Sequence, residues 1–104
     1  MRKVLVVDDE FLVRVGIKSF LNWEENGYTI IAEAADGRQA LEIMERELPD
    51  VVLTDLKMDG MDGFELIQVS RKRFPTVQFV VLSNFENGEN VKRAMKLGAA
   101  DYIF

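Results

Sequence analysis

The sequence predicts an α/β fold with a doubly wound, five-stranded parallel sheet in the order 2-1-3-4-5 and helices on both faces. Two observations lead to this prediction. Short aliphatic and β-branched runs of strand length recur along the chain, and segments with helical spacing of apolar residues separate them. This strict alternation is typical of parallel sheets, because each right-handed crossover returns the chain through a helix.

The predicted strands are short and mostly apolar, as expected where both faces of a sheet are covered. The clearest are residues 3–7, 51–54 and 77–82, while residues 29–34 and 100–104 are shorter candidates.

Four segments with helical spacing lie between the strands, at residues 11–21, 37–48, 63–74 and 88–97. Local signals mark their ends. Asp36-Gly37 opens the second helix and Pro49 closes it, Pro75 follows the third, and Gly98 follows the fourth as a residue suited to a left-handed C-terminal turn.

Length and composition exclude several classes of protein and several kinds of reactive site. The 104 residues fit a single domain, 1–104, and the longest apolar runs fall far below the roughly 20 residues needed to span a bilayer. We therefore expect a cytoplasmic protein with no membrane contact. The net charge of -5 disfavours direct DNA binding. With no cysteine and no histidine, thiol chemistry, histidine metal sites and Ser-His-Asp triads are excluded.

Carboxylates follow two strands that the predicted order places side by side. Asp8 and Asp9 come directly after the first strand, and Asp55 directly after the third. Ligands of open parallel sheets bind beyond the carboxyl ends of the strands, at the point where the strand order reverses. Three clustered carboxylates repel one another unless a cation is present, and oxygen ligands suit Mg²⁺. We infer a divalent-cation site. Taken singly, Asp8 and Asp9 could instead cap a helix, and Asp55 could be an ordinary loop acid.

The chain resembles the receiver domains of bacterial response regulators over its whole length. Each matching motif is weak alone, but their combination is specific. The motifs are Val6-Val7-Asp8-Asp9-Glu10, Leu53-Thr54-Asp55-Leu56-Lys57-Met58, Met61-Asp62-Gly63, Val81-Leu82-Ser83 and Leu97-Gly98-Ala99-Ala100-Asp101-Tyr102.

The resemblance implies a phosphorylation-driven switch rather than a metabolic enzyme. A sensor histidine kinase would phosphorylate Asp55, with Mg²⁺ held by Asp9, Asp55 and the backbone carbonyl of Lys57, and with Asp8 acting through water. The resemblance also implies a homodimer on phosphorylation, and DNA contact only through an output domain outside these residues.

Two further residues match the switch positions of the family. Ser83 matches the hydroxyl that hydrogen-bonds the new phosphoryl group, and Tyr102 matches the aromatic residue that turns inward in response. The plainer alternatives are a loop serine and a packed strand aromatic, since the last strand favours aromatic residues in any case.

Three departures from the family pattern stand out. Asp59 occupies a position where many receivers have proline, and the loop 84–88 is not the commonest version. The family also has a lysine directly after the strand that ends here at Phe104, followed by a last helix. We therefore expect the chain to be part of a longer regulator, with apolar surface exposed next to the fifth strand. Residues 23–28 resemble receivers that precede AraC-type DNA-binding domains, although a helix end covered by Trp23 explains them equally well.

Three other classes of protein share part of this pattern. A haloacid-dehalogenase-type phosphatase needs an acid at position 57, where this chain has lysine. A flavodoxin-like protein needs an uncharged phosphate loop, whereas Asp8-Asp9-Glu10 would repel a phosphate. The remaining rival is a pseudo-receiver, an interaction module that keeps the fold without phosphoryl switching.

Overall fold

Five parallel strands form one sheet in this computed structural model, which describes residues 1–20, 22–82 and 88–103 apart from the side chain of Tyr102. In chain order the strands are β1 (Arg2–Val7), β2 (Tyr28–Ala34), β3 (Val51–Asp55), β4 (Gln78–Leu82) and β5 (Asp101–Ile103). Their order across the sheet is β2-β1-β3-β4-β5. The predicted topology is therefore confirmed. No described strand end differs from its predicted position by more than one residue.

Four helices connect the strands: α1 (Phe11–Phe20), α2 (Gly37–Glu47), α3 (Gly63–Arg73) and α4 (Gly88–Leu97). A short 3-10 helix, Glu24–Asn26, lies between α1 and β2. The predicted ends of α2 and α3 were each one residue too long. Leu48 has a positive φ of 26° and precedes Pro49, whose ring disfavours the helical conformation at the residue before it.

Aspartate side chains cap the N-termini of two helices. Asp36 accepts a hydrogen bond from the Gln39 amide at 2.9 Å, and Asp62 accepts one from the Glu65 amide at 3.0 Å. Each cap satisfies an amide that has no partner within the helix. Gly98, directly after the C-terminal end of α4, has a positive φ of 117°, as its sequence position predicts.

The two faces of the sheet carry cores of different size. On one face, Leu5, Val7, Val52, Phe79 and Val81 pack with the buried sides of α2, α3 and α4. On the other face, a smaller cluster forms around Val4, Val6 and Leu53, with Ile17 and Trp23 packed against it. None of the ten residues of α1 is buried. The strand alternation expected of a pleated sheet thus supplies both cores.

An apolar groove of about 320 Å³ lies on the smaller face, next to β5. Its lining includes Val13, Ile17, Phe20, Leu53, Leu82 and Ile103. Phe20 is 79% exposed and Ile103 is 50% exposed. The apolar surface expected next to the fifth strand is therefore present.

A bulge shifts the register between the first two strands. Val4 pairs with Ile30, but Leu5 pairs with Ala32 and Val6 with Glu33, so that Ile31 has no partner in the register. Because a shift of one residue moves side chains to the opposite face, the bulge places Glu33 beside Val6, on the α1 side of the sheet.

No helix among the described residues combines the length and the apolar composition needed to cross a bilayer.

Candidate functional site

Three aspartates converge at the carboxyl ends of β1 and β3. Asp8, Asp9 and Asp55 each offer a carboxylate oxygen, and these oxygens all lie within 4.8 Å of one another. Asp8 is buried, Asp55 is half-buried and Asp9 is exposed. The parallel pairing of β1 with β3 brings the three residues together, as the sequence predicts from the strand ends.

Asp8 is fixed by hydrogen bonds on both its backbone and its side chain. Its amide donates to the Ala34 carbonyl at 3.0 Å, which extends the β1–β2 pairing by one residue. Its Oδ1 accepts from the Glu10 amide at 2.9 Å. This bond closes a local turn, so the chain leaves the pleat here and both acids can face the same site.

Burial and the like charge of neighbouring carboxylates raise the pKa values of Asp8 and Asp55. Burial raises the pKa of the Asp8 carboxyl to about 6, and the neighbouring Asp55 and Asp9 add to the rise. Burial also raises the pKa of Asp55, although the Lys57 and Leu56 amides oppose that shift. A raised pKa means that the charged form is disfavoured when no cation is present.

The loop after Asp55 is held by close backbone contacts. The Gly63 amide donates to the Leu56 carbonyl at 2.9 Å, and the Gly37 amide donates to the Met61 carbonyl at 3.0 Å. Gly60, the residue after Asp59, has a φ of 75°, a backbone conformation that favours glycine. The loop is therefore tied to the N-termini of α2 and α3.

An open cleft of about 300 Å³ lies beside Asp9. Its lining residues are Asp9, Lys57, Met58, Asp59 and Asp62. Lys57 is exposed, and its amide lies 3.4 Å from Asp55 Oδ1. The backbone of Lys57 therefore lies in direct contact with Asp55, while its carbonyl as a metal ligand stays a prediction.

The two predicted switch residues fall partly outside the described structure. Ser83 follows β4 directly and lies outside the described residues. Tyr102 lies in β5, where its backbone pairs with Val81, and nothing is described of its side chain. Their switch roles stay predictions.

Sequence reasoning missed an ion-pair network next to the acids. Arg14 Nη1 donates to the Asp8 carbonyl at 2.6 Å, and Arg14 Nε donates to Glu33 Oε1 at 3.0 Å. Lys18 Nζ donates to Glu33 Oε2 at 2.6 Å, and this bond contributes most to holding the pKa of Glu33 below its usual range. The signal that could have found the network is the lone charge of Glu33 within an otherwise uncharged strand, β2.

Comparison with known proteins identifies the family. The sequence profile of the response regulator receiver domain matches residues 4–104. The chain belongs to the response regulator receiver domain family.

Relatives of known sequence agree with this receiver assignment. The chain is 42% identical over 103 residues to an uncharacterized transcriptional regulatory protein, YesN of Bacillus subtilis, covering 99% of this chain and 28% of that protein. It is 39% identical over 101 residues to the response regulator protein VraR of Staphylococcus epidermidis, covering 97% of this chain and 48% of that protein. The receiver thus spans less than half the length of these curated relatives.

Solved structures show the same receiver fold. The receiver domain of AraT, a response regulator from Geobacillus stearothermophilus, matches with a TM-score of 0.90 and 35% identity, covering 98% of this chain and 79% of that chain. The response regulator domain of Thermotoga maritima CheB matches with a TM-score of 0.88 and 28% identity, covering 99% of this chain and 77% of that chain. The α/β architecture of this chain is therefore that of a receiver domain, a signalling module.

Proposed function

We propose that residues 1–104 act as a phosphorylation-activated switch in which Asp55 accepts a phosphoryl group from a sensor histidine kinase. The observation that carries this proposal is the approach of the Asp8, Asp9 and Asp55 carboxylate oxygens to within 4.8 Å of one another. Asp55 is the last residue of β3 and is half-buried. Its carboxylate is therefore partly open to solvent, while the strand fixes its backbone. In-line attack on a phosphorus atom requires such a positioned oxygen.

The residues present fit Mg²⁺. The site offers oxygen ligands, and Asp8 and Asp55 both have raised pKa values because burial disfavours their charged forms. A divalent cation would offset that cost. We assign the cation to Asp9, Asp55 and the Lys57 carbonyl, with Asp8 acting through water. When bound, Mg²⁺ supplies neutralisation of the charge on the transferred phosphoryl oxygens.

The chain's own residues supply the nucleophile and its placement. A carboxylate oxygen of Asp55 forms the new bond to phosphorus, and the bond from phosphorus to the donor breaks. The product is an acyl phosphate. No histidine or cysteine of this chain is needed for that transfer, which agrees with a composition that contains neither.

Ser83 and Tyr102 complete the proposed switch. In this proposal the Ser83 hydroxyl donates to a phosphoryl oxygen, and Tyr102 changes rotamer in response. Ser83 directly follows β4 and Tyr102 lies on β5, the neighbouring strand. The signal would then reach the β4–β5 edge of the sheet.

The output lies outside these residues. YesN is named as a transcriptional regulatory protein and is matched over 28% of its length. We propose that this receiver likewise regulates transcription through a separate output domain, which would supply the DNA contact, and that phosphorylation promotes a homodimer. The cytoplasmic location expected from the sequence stays a prediction.

Acyl-phosphate formation tests the proposal directly. We expect incubation with acetyl phosphate and Mg²⁺ to add one phosphoryl group, detected by mass spectrometry and removed by hydroxylamine. Asp55→Asn should abolish the modification, whereas Asp59→Asn, which changes an exposed acid of the same loop, should retain it. Undiminished modification of the Asp55→Asn variant would refute the site. Binding of Mg²⁺ without any acyl phosphate in the parent chain would favour the pseudo-receiver, an interaction module without switching.

A further inference from the structure

A side chain from α1 is hydrogen-bonded to the turn that carries Asp8 and Asp9. Arg14 Nη1 donates to the Asp8 carbonyl at 2.6 Å, while the Asp8 amide donates to the Ala34 carbonyl at 3.0 Å. The carbonyl of Asp8 belongs to the peptide group that leads into Asp9. Its orientation therefore sets the direction in which Asp9 leaves the strand.

Arg14 is itself held in place by Glu33. The Arg14 side chain is 15% exposed, and its Nε lies 3.0 Å from Glu33 Oε1. Only a planar guanidinium offers two donors in a fixed geometry that can serve a carboxylate and a carbonyl at once. A lysine carries its donors on one nitrogen of a flexible stem, so it would not hold the two acceptors in this fixed geometry.

The β-bulge explains why Glu33 is within reach of Arg14. Without the register shift after Val4, Glu33 would pair with Val7 and face the larger core on the other side of the sheet. With the shift it pairs with Val6 and faces α1. Bulges that redirect a side chain next to a functional site are a recurrent device of β-sheets.

We propose that Arg14, held by Glu33, is a positioning residue that orients the Asp8-Asp9 turn for Mg²⁺ binding. This inference rests on the proposed function and adds to it two residues that lie outside the proposed ligand set. Groups that orient metal ligands from outside the ligand set commonly change metal affinity by tenfold or more when they are removed.

The electrostatic alternative has the opposite sign, which makes the proposal testable. If Arg14 acted only through its positive charge, its removal would make the acidic site more attractive to Mg²⁺, and affinity would rise. If Arg14 positions the turn, its removal lets the Asp8 carbonyl reorient and affinity falls. The direction of the change therefore separates the two roles.

The test measures Mg²⁺ affinity by calorimetric titration of the 104-residue chain and its variants. We expect Arg14→Met to raise the Mg²⁺ dissociation constant about tenfold. Arg14→Lys, which keeps the charge, should raise it nearly as much, and Glu33→Ala should raise it in the same direction. Amide resonances of Asp9 and Glu10 in the metal-free protein should shift in each of the three variants, because the turn is no longer held.

Lys18→Met is the matched control. It removes the other cation bound to Glu33, and no hydrogen bond to Asp8 is described for Lys18, so the dissociation constant should stay within about twofold of the parent value. An unchanged or lower dissociation constant in both Arg14 variants would overturn the proposal, and Arg14→Lys serves if Arg14→Met does not fold. If the parent chain itself binds no Mg²⁺, the proposed function fails, while the Asp9 and Glu10 resonances still report whether Arg14 holds the turn.

Discussion

Gly63 lies so close to Asp55 that a β-carbon at position 63 would stand 2.3 Å from the Asp55 carbonyl oxygen. The same β-carbon would stand 2.8 Å from the Leu56 Cα. Both contacts are with backbone atoms, which cannot rotate away as the end of a flexible side chain can. The first residue of α3 and the proposed phosphoacceptor are therefore packed as one unit.

Replacing this glycine should damage both the fold and the site. We expect Gly63→Ala to destabilise the protein by about 1–3 kcal/mol, because the added methyl group overpacks a closed contact. It should also slow acetyl-phosphate labelling, since the β3–α3 junction must shift to admit the methyl group. Chemical denaturation and labelling rate measure the two effects.

Gly88→Ala provides the matched comparison for that variant. Gly88 also begins a helix, but a β-carbon there would meet no atom of the described residues within 4 Å. Alanine should therefore be neutral there or stabilise by up to about 1 kcal/mol through its helix propensity. Equal stability of the two alanine variants would contradict the packing argument.

Mg²⁺ should stabilise the folded chain by mass action. At a free Mg²⁺ concentration ten times the dissociation constant, one site contributes about 1.4 kcal/mol. Asp9→Ala should remove most of this gain and Asp8→Ala less of it, because Asp8 is assigned to act through water. A melting temperature of the parent chain that does not respond to millimolar Mg²⁺ would count against the metal site.

Stability of the metal-free chain should rise as the pH falls through the range in which Asp8 titrates. The pKa of Asp8 is about 6 in the folded chain, against an ordinary value of 3.8. A raised pKa means that the folded state binds the proton more tightly, so this contribution is complete below pH 4 and is lost as the pH rises through about 6. The shift corresponds to roughly 3 kcal/mol at most.

Denaturation in EDTA between pH 5 and pH 7.5 measures this contribution. Asp8→Asn should flatten much of the profile and raise stability at pH 7.5, because the amide needs no proton to stay neutral. Asp59→Asn, at an exposed loop position, should leave the profile close to that of the parent. A profile that Asp8→Asn leaves as steep as before would show that other groups cause it.

Sequence reasoning predicted the features that depend on the order of the strands. It did not predict the side-chain contacts that depend on how the helices pack on the sheet. Strand order and the meeting of Asp8, Asp9 and Asp55 follow from the rule that carboxyl ends of parallel strands share one edge. The contact between Arg14 and the Asp8 carbonyl was not predicted, because it depends on a helix lying over the sheet at a particular distance. The side of the sheet that Glu33 faces depends on the bulge, and no local pattern marks that irregularity. Gly63 belongs to one of the motifs that resemble the receiver family, but its close approach to Asp55 depends on how α3 packs against the end of β3, which the motif does not reveal.

The unequal cores described above imply unequal local stability. Helix α1 has no buried residue, whereas α2 and α3 each bury several apolar side chains. Segments with few buried contacts open at lower free energy than the whole molecule unfolds. Amide hydrogens of α1 should therefore exchange with solvent much faster than those of α2 and α3 in the metal-free chain. Because Arg14 belongs to α1, each such opening would also break the hydrogen bond from Arg14 to the Asp8 carbonyl. The order of the Asp8-Asp9 turn would therefore depend on the local stability of α1. Mg²⁺ binding should then slow exchange in α1, although none of the proposed ligands lies in that helix.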